Sequence, residues 1–327
     1  MNISRCSSCL KLGIDGFCLP CRKALFAGKR VSPVLPFSRP DYNRRKLERA
    51  GRLSISGVQT KHSLRLVTTE LELTEDNGEY ILKPVPIGEL ENLVAMPTNE
   101  HVTMQIARQV FKLNTAECAI VYFKDDQTPA YLTKRFDVRV DGTRLQQEDF
   151  AQIAQVSEES HGKNYKYDFS YEKIASLMKT CVSAYAVEVE KYFKLVLFNY
   201  LVHNGDAHLK NFSLSRDLAT STYILTPAYD LLNTRLHLPC ETALALDLFD
   251  SDYETDSYKA NGYFAKNDFT EFGRKIGIPP QRVERFINDI AGKYTEIMEL
   301  LERSFLDAPL KIRYAELIKE RIAALKY

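Results

Sequence analysis

Asn204–Leu214 reads NGDAHLKNFSL, and the reading of the whole chain turns on it. The apolar run Tyr192 to Val202 precedes it, with the length and pattern of a buried helix. Asn-Gly after such a helix predicts a sharp turn, because Gly205 can adopt φ > 0 without steric cost. The next residues bring a carboxylate (Asp206), an imidazole (His208), an ammonium (Lys210) and a carboxamide (Asn211). Any one of them suits a solvated loop. An Asp followed five residues later by an Asn is more specific, because phosphoryl transfer uses that spacing. There the Asp accepts or orients the attacking hydroxyl, and the Asn holds Mg²⁺ on the phosphates. Phe212 and Leu214 then alternate toward the core like the start of a strand. Further on, Pro227-Ala228-Tyr229-Asp230 follows an apolar stretch and supplies a second candidate metal carboxylate, Asp230.

Composition excludes some classes. The chain has 327 residues, enough for about two domains. Its 44 basic and 43 acidic residues leave a formal charge of +1, which argues against nucleic acid as the main ligand. No apolar run approaches the ~20 residues of a membrane span. The N-terminus lacks a signal-peptide pattern, so the chain reads as cytoplasmic with its seven cysteines reduced.

Cys6, Cys9, Cys18 and Cys21 form C-x₂-C-x₈-C-x₂-C. Paired knuckles of this kind bring four thiolates within tetrahedral reach of one structural Zn²⁺. The alternative is four free thiols in a disordered tail. Cys118, Cys181 and Cys240 sit singly and read as core residues. Lys23 to Arg52 is rich in Arg, Lys and Pro and reads as an extended arm across the next domain. The rest of the chain is expected to survive loss of the cysteine site, because its core lies elsewhere.

Arg52 to Leu66 alternates at both ends, which predicts two strands joined by a polar centre containing Ser56, Gly57, Val58, Gln59 and Lys61. Such a hairpin could lay backbone N–H groups over phosphates, or be an ordinary turn. Glu79–Pro84 reads as a strand ending in Lys83. Thr98 starts a helical pattern, with Glu100 placed either to favour the helix dipole or to reach Lys83. Ala119 to Phe123 and Ala130 to Phe136 read as strands around an Asp125-Asp126-Gln127 turn. Helices are expected at Tyr171 to Met178, Glu188 to Val202, Phe269 to Ile276, Pro280 to Phe305 and Tyr314 to Leu325. Val156 to Phe169 and Asp247 to Asp256 read as surface loops. Strands first and helices later describe an α+β chain.

SISGVQTK, ILKP, TNEH, KRFD, QEDFAQ, NGDAHLKNFSL and TPAYD occur in that order between Ser54 and Asp230. Together they resemble the HipA-like serine/threonine kinase toxins of bacteria. The resemblance implies a two-lobed protein-kinase-like fold, with a small β-rich N-lobe (51–137) and a larger helical C-lobe (138–327). A Cys-rich segment and basic arm (1–50) would precede them. It also implies an ATP-dependent protein kinase that uses Mg²⁺. Lys83 matches the phosphate-contacting lysine, Glu100 its partner, and Phe136 the hinge that holds adenine. Asp206 matches the catalytic aspartate; Asn211 and Asp230 match the Mg²⁺ ligands. The polar centre of the 52–66 hairpin, through Lys61, would join the ATP site. Lys210 reaches the γ-phosphate or is a solvated loop lysine, and His208, within the nucleotide site, reads as structural rather than a proton carrier.

Longer family members carry an extra N-terminal subdomain, whereas about fifty residues precede Ser54 here. The chain therefore resembles the short, HipT-like form, whose missing piece is a separate small HipS-like protein. A HipB-like DNA-binding antitoxin is the other implied partner, so nucleic acid is reached only through it. An aminoacyl-tRNA synthetase is the implied substrate class. Ser54 and Ser56 match the serines autophosphorylated in the family, and their phosphates would repel ATP. Two readings compete: a small-molecule kinase, and a kinase-like module that only binds. The complete set of Lys83, Asp206, Asn211 and Asp230 argues against the second.

Overall fold

The strand predicted to end in Lys83 forms as β3 (Tyr80–Pro84), and its alternation separates two environments. Tyr80 and Leu82 are buried in a core, while Ile81 and Lys83 line a cavity. The computed structural model describes residues 4–42, 61–139, 142–217 and 222–326. β3 is the centre of a five-stranded antiparallel sheet with β1 (His62–Val67), β2 (Glu70–Leu73), β4 (Cys118–Tyr122) and β5 (Pro129–Lys134). The order is β2-β1-β3-β5-β4, and register pairs Lys83 with Tyr131. β2 was not expected. Its turn is Thr68-Thr69, with Thr68 left-handed at φ 53°, and lacks the Asn-Gly signature of a two-residue hairpin. The predicted strand through Leu53 and Ile55, and the loop residues Ser54, Ser56, Gly57, Val58 and Gln59, lie outside the described residues.

Across the sheet runs α2 (Met96–Gln105), which continues into a π-helical turn at Ile106–Val110. All ten residues of α2 are buried, although six of them are polar. Burial is tolerable because the polar groups find partners. Thr103 bonds Asn99 O at 2.9 Å and the Tyr314 hydroxyl at 3.0 Å, and Gln105 donates to the Cys118 sulfur.

The other face of the sheet is closed by the N-terminal segment. α1 (Leu19–Phe26) buries Leu25 and Phe26, and Val31, Leu35, Phe37 and Tyr42 join Tyr80, Leu82 and Phe123 in one core. Val34 forms a parallel bridge to Tyr122, and Leu35 N–H donates to Tyr122 O at 2.8 Å. The segment from Phe17 to Tyr42 thus shares one core with the sheet, and the cysteines form a cluster of their own beside it. The arm read across the next domain holds six buried apolar residues without regular period, so which of its residues pack was not legible.

The second part holds a three-stranded antiparallel sheet, β6 (Gln146–Asp149), β7 (Ser213–Asp217) and β8 (Thr222–Leu225), in that order. Its longer helices are α3 (Tyr171–Cys181), α4 (Tyr185–Leu201), α5 (Lys266–Lys275), α6 (Pro280–Gly292), α7 (Tyr294–Glu302) and α8 (Ala308–Ala324). The single helix expected from Pro280 to Phe305 breaks at Lys293, whose ammonium reaches Val110 O at 3.2 Å. Of the two expected surface loops, 247–256 buries Leu248 and Phe249.

His203, at the end of α4, is buried beside Arg321, which donates to His203 Nδ1 at 3.3 Å, while His203 Nε2–H donates to Leu317 O at 3.1 Å. Burial, then the Arg321 charge, pulls its pKa down to about 3. Below about pH 6.5 the unfolded chain takes up a proton that the folded chain refuses, so stability is lost as pH falls toward 3. The expected loss is about 1.4 kcal/mol per pH unit from this group. Urea midpoints measured from pH 7 to pH 4 should fall, and His203→Gln should flatten that slope.

Candidate active site

The end of α4 delivers Asn204–Asn211 into a cavity of about 750 Å³ between the two sheets and α2. Asn204 anchors the turn, with its backbone N–H on Asn199 O at 2.9 Å and its carboxamide on Asn199 Oδ1. The left-handed residue is His203 (φ 52°), and Gly205 is not in that region. Glycine is needed there for another reason. A Cβ on Gly205 would sit 2.7 Å from both the Glu241 side chain and the backbone oxygen of Thr242. Gly205→Ala is therefore expected to cost about 1–3 kcal/mol. Glu241→Ala should not rescue it, because the Thr242 oxygen remains; full rescue in urea unfolding would contradict this contact.

Lys83 is the centre of the charge arrangement. Its ammonium lies 2.5 Å from Glu100 Oε1 and 2.5 Å from Asp230 Oδ1, and 5.3 Å from the centre of the Tyr131 ring. Lys61 reaches Asp230 Oδ2 at 2.9 Å. Burial opposes the charge on Asp230, but the Lys83 and Lys61 ammonium groups outweigh it and hold the carboxyl well below its usual range. Glu100 is pushed up by burial, which Lys83 offsets only in part. Burial also works against the Lys83 charge, and Asp230 and Glu100 more than restore it. Asp230 sits at φ 55°, a strained conformation that Asp tolerates better than most residues.

Asp206 is half exposed. Tyr167 Oη–H donates to its Oδ1 at 2.5 Å, and Lys166 Nζ and His208 Nε2 stand 3.8 and 3.7 Å from the same oxygen. Burial lowers the His208 pKa to about 4, against the pull of Asp206, which favours the neutral ring. Lys210 pairs with Asp149 Oδ2 at 2.9 Å. Asp149 also caps the short helix Phe150–Ile153 in a reciprocal box with Gln152. The QEDFAQ motif thereby fixes Lys210 at the cavity. Phe136 and Tyr229 hold their rings 5.7 Å apart on the cavity wall.

Among the described residues Asn211 Oδ1 has no hydrogen-bond partner although it is buried, and both Asn211 and Asp230 line the cavity. An orphaned carboxamide oxygen and a carboxylate lining one cavity offer hard oxygen donors that fit Mg²⁺. Lys61, Lys83, Glu100, Phe136, Asp206, His208, Lys210, Asn211 and Asp230 all line this one cavity. Tyr167 and Lys166 were missed, because they belong to a polar stretch with no motif. α2 is also tied to the Asp230 loop. Asn99 Nδ2 donates to Asn233 O at 2.8 Å and to His237 Nε2 at 2.9 Å, so His237 Nδ1–H donates to Glu91 O.

Cys6, Cys9, Cys18 and Cys21 form a separate cluster, with all four sulfurs within 4.8 Å of one another and no disulfide.

The HipA-like C-terminal domain matches residues 53–298, well over half of the chain. The chain belongs to this HipA-like family. A Haemophilus influenzae protein named "Putative kinase" is 28% identical over 313 residues, covering 91% of this chain and 89% of that one. The serine/threonine-protein kinase toxin HipA of Shewanella oneidensis is 29% identical over 224 residues, 64% of this chain. This HipA-like chain matches only about half of that toxin, 49% of its length. Among solved structures, HipA of S. oneidensis MR-1, determined with HipB and operator DNA, superposes with a TM-score of 0.66. It is 22% identical and covers 90% of this chain and 73% of that one. The Helicobacter pylori proinflammatory kinase CtkA superposes with a TM-score of 0.52 at 15% identity, over 80% of this chain and 93% of that one. These likenesses establish the HipA-like α+β fold. Among the described residues no helix is long and apolar enough to cross a membrane.

Proposed function

We propose that the chain is an ATP-dependent serine/threonine protein kinase acting as the toxin of a bacterial toxin–antitoxin system. The observation that carries this is the meeting of Lys83, Glu100 and Asp230 in the cavity that Asp206 and Asn211 also line. Family membership and relatives named as kinases support it. In this reading Lys83, steadied by Glu100, holds the α- and β-phosphates of ATP. Phe136 and Tyr229 flank the base, and Lys210, aimed by Asp149, meets the γ-phosphate. The substrate hydroxyl oxygen attacks the γ-phosphorus while the bond to the ADP oxygen breaks, and Asp206 accepts the hydroxyl proton. Asn211 and Asp230 would hold Mg²⁺, which supplies charge neutralisation on the phosphates. Its protein substrate is a translation component such as an aminoacyl-tRNA synthetase. Two partners belong to the proposal: a HipB-like antitoxin, in line with the complex named for the Shewanella structure, and a HipS-like small protein. Phosphate on Ser54 or Ser56 would add about −1.5 to −2 charge beside ATP and switch transfer off. The test is incubation with labelled ATP and cell lysate, followed by identification of the labelled band. Label on a small metabolite and on no protein would overturn the protein-kinase reading.

A further inference from the structure

The cysteine cluster is not an appendage. From Cys6 through Lys11, a stretch that holds the first two cysteines, the backbone turns tightly: Leu10 is left-handed at φ 64°, its N–H donates to Cys6 O, and Cys6 N–H donates to Lys11 O at 2.9 Å. This turn presents three successive carbonyls to the catalytic part of the molecule. Ser7 O accepts from Ile120 N–H of β4 at 2.8 Å, Ser8 O from His101 Nε2–H at 2.8 Å, and Cys9 O from Gln109 Nε2–H at 3.0 Å. His101 and Gln109 belong to α2 and its π-helical continuation, and His101 directly follows Glu100. Leu10 is fully buried in the main core, and Arg5 donates to Arg303 O and Ser304 O at the end of α7. The cluster therefore grips the sheet, α2 and the helical part at once.

The sulfurs have the geometry of ligands. Cys9 Sγ and Cys18 Sγ are 3.7 Å apart, and Cys18 N–H donates to Cys6 Sγ at 3.3 Å. Four thiolates about 2.3 Å from a tetrahedral Zn²⁺ stand about 3.8 Å from one another. Four sulfurs and no oxygen select a soft or borderline ion over Mg²⁺ or Ca²⁺.

We propose that Cys6, Cys9, Cys18 and Cys21 bind one Zn²⁺, and that the metal-folded turn is the support that keeps α2, and with it Glu100, against Lys83. The turn is too short to fold on hydrophobic burial alone, so the metal holds its shape. With the metal gone, the carbonyls of Ser7, Ser8 and Cys9 lose their fixed positions and α2 loses its outer support. Metal occupancy then sets the Lys83–Glu100 contact. The site and its support of α2 stand on geometry alone, and only the effect on transfer rests on the kinase reading.

The test starts with full-length protein purified without chelator, which should contain about one zinc per chain by elemental analysis. Replacing zinc with Co²⁺ should give the intense thiolate-to-cobalt absorption of a four-sulfur site. Stripping zinc with a thiol-reactive mercurial should speed hydrogen exchange of the α2 amides, and re-adding Zn²⁺ should reverse it. His101→Phe, which breaks the link and spares the cysteines, should keep its zinc but show the same faster exchange. His101→Gln, which restores a donor, should protect α2 again. Protein-phosphate transfer should fall up to about a hundredfold in the stripped and His101→Phe forms, as displacement of a positioning group predicts. Protein without zinc that also fails to take up Zn²⁺ or Co²⁺ overturns the site. Zinc-loaded and stripped proteins with identical α2 exchange overturn the support role. Exchange that responds to zinc in a protein that never transfers phosphate supports the proposal and counts against the kinase reading instead.

Discussion

Asp206→Asn lowers phosphate transfer by about a hundredfold or more and leaves the urea midpoint unchanged. The size follows from the proposed role, since a positioned proton acceptor contributes about 10²–10⁴-fold. Unchanged stability follows from the setting. The Asp206 side chain is 50% exposed, and its neighbours Tyr167 and Lys166 lie at the mouth of the same cavity. Neither is stranded in a core when the carboxylate becomes an amide. Tyr167→Phe gives a contrasting control. It removes the phenol that occupies Asp206 Oδ1 and should leave the carboxylate free to meet a hydroxyl, so transfer persists. The measurement is the initial rate with labelled ATP, with circular dichroism melts to confirm folding. A folded Asp206→Asn protein that transfers at the normal rate would remove Asp206 from the mechanism.

Lys83→Ala should have the largest effect on stability, about 3–5 kcal/mol, as breaking a buried ion pair does. The Lys83 side chain is 4% exposed and Glu100 3%, so solvent screens neither. Asp230 keeps Lys61 as a partner, whereas no ion pair other than that with Lys83 is found for Glu100 among the described residues. The stranded charge is therefore Glu100, and its carboxyl, already raised, should be driven to protonate. Removing it as well should return part of the loss: the double variant Lys83→Ala, Glu100→Ala should be more stable than Lys83→Ala alone. Urea unfolding of the four proteins in this cycle measures the coupling. If the double variant loses the sum of the two single losses, the pair carries no coupling energy and this account of Glu100 fails.

Legibility in the sequence followed the range of the interactions. β3, α4 and β7 were readable because Tyr80–Lys83, Tyr192–Leu201 and Phe212–Leu214 carry their period locally. The Asp206-to-Asn211 spacing was readable because one turn fixes both residues. Glu100 was ambiguous from sequence, since reaching Lys83 depends on how α2 crosses the sheet. α2 itself has no polar face, and partners as distant as Tyr314 explain the burial of its polar residues. The turn was read at Gly205 through a positive φ, but the left-handed residue is His203, and what Gly205 supplies is room beside Glu241 and Thr242. Its neighbour Thr242 arrives from a segment that carries no signal of proximity. The arm was read as lying across the next domain, but which residues from Phe17 to Tyr42 pack was not legible, because they follow the shape of the sheet rather than any period of their own.

That arm has a practical consequence for anyone trimming the protein. The family match begins at residue 53 and invites a shortened version that starts there. In the sheet order β4 is the outermost strand, and Val34, Leu35 and Ser7 are what lie along its free side. A version cut at residue 53 would bare the Ile120 and Tyr122 amides together with Phe123 and the outer faces of Tyr80 and Leu82. An uncovered strand edge next to an apolar surface is a template for pairing between molecules. Such a fragment would precipitate through its strand edge while keeping Lys83, Asp206, Asn211 and Asp230, and its silence in an assay would say nothing about chemistry.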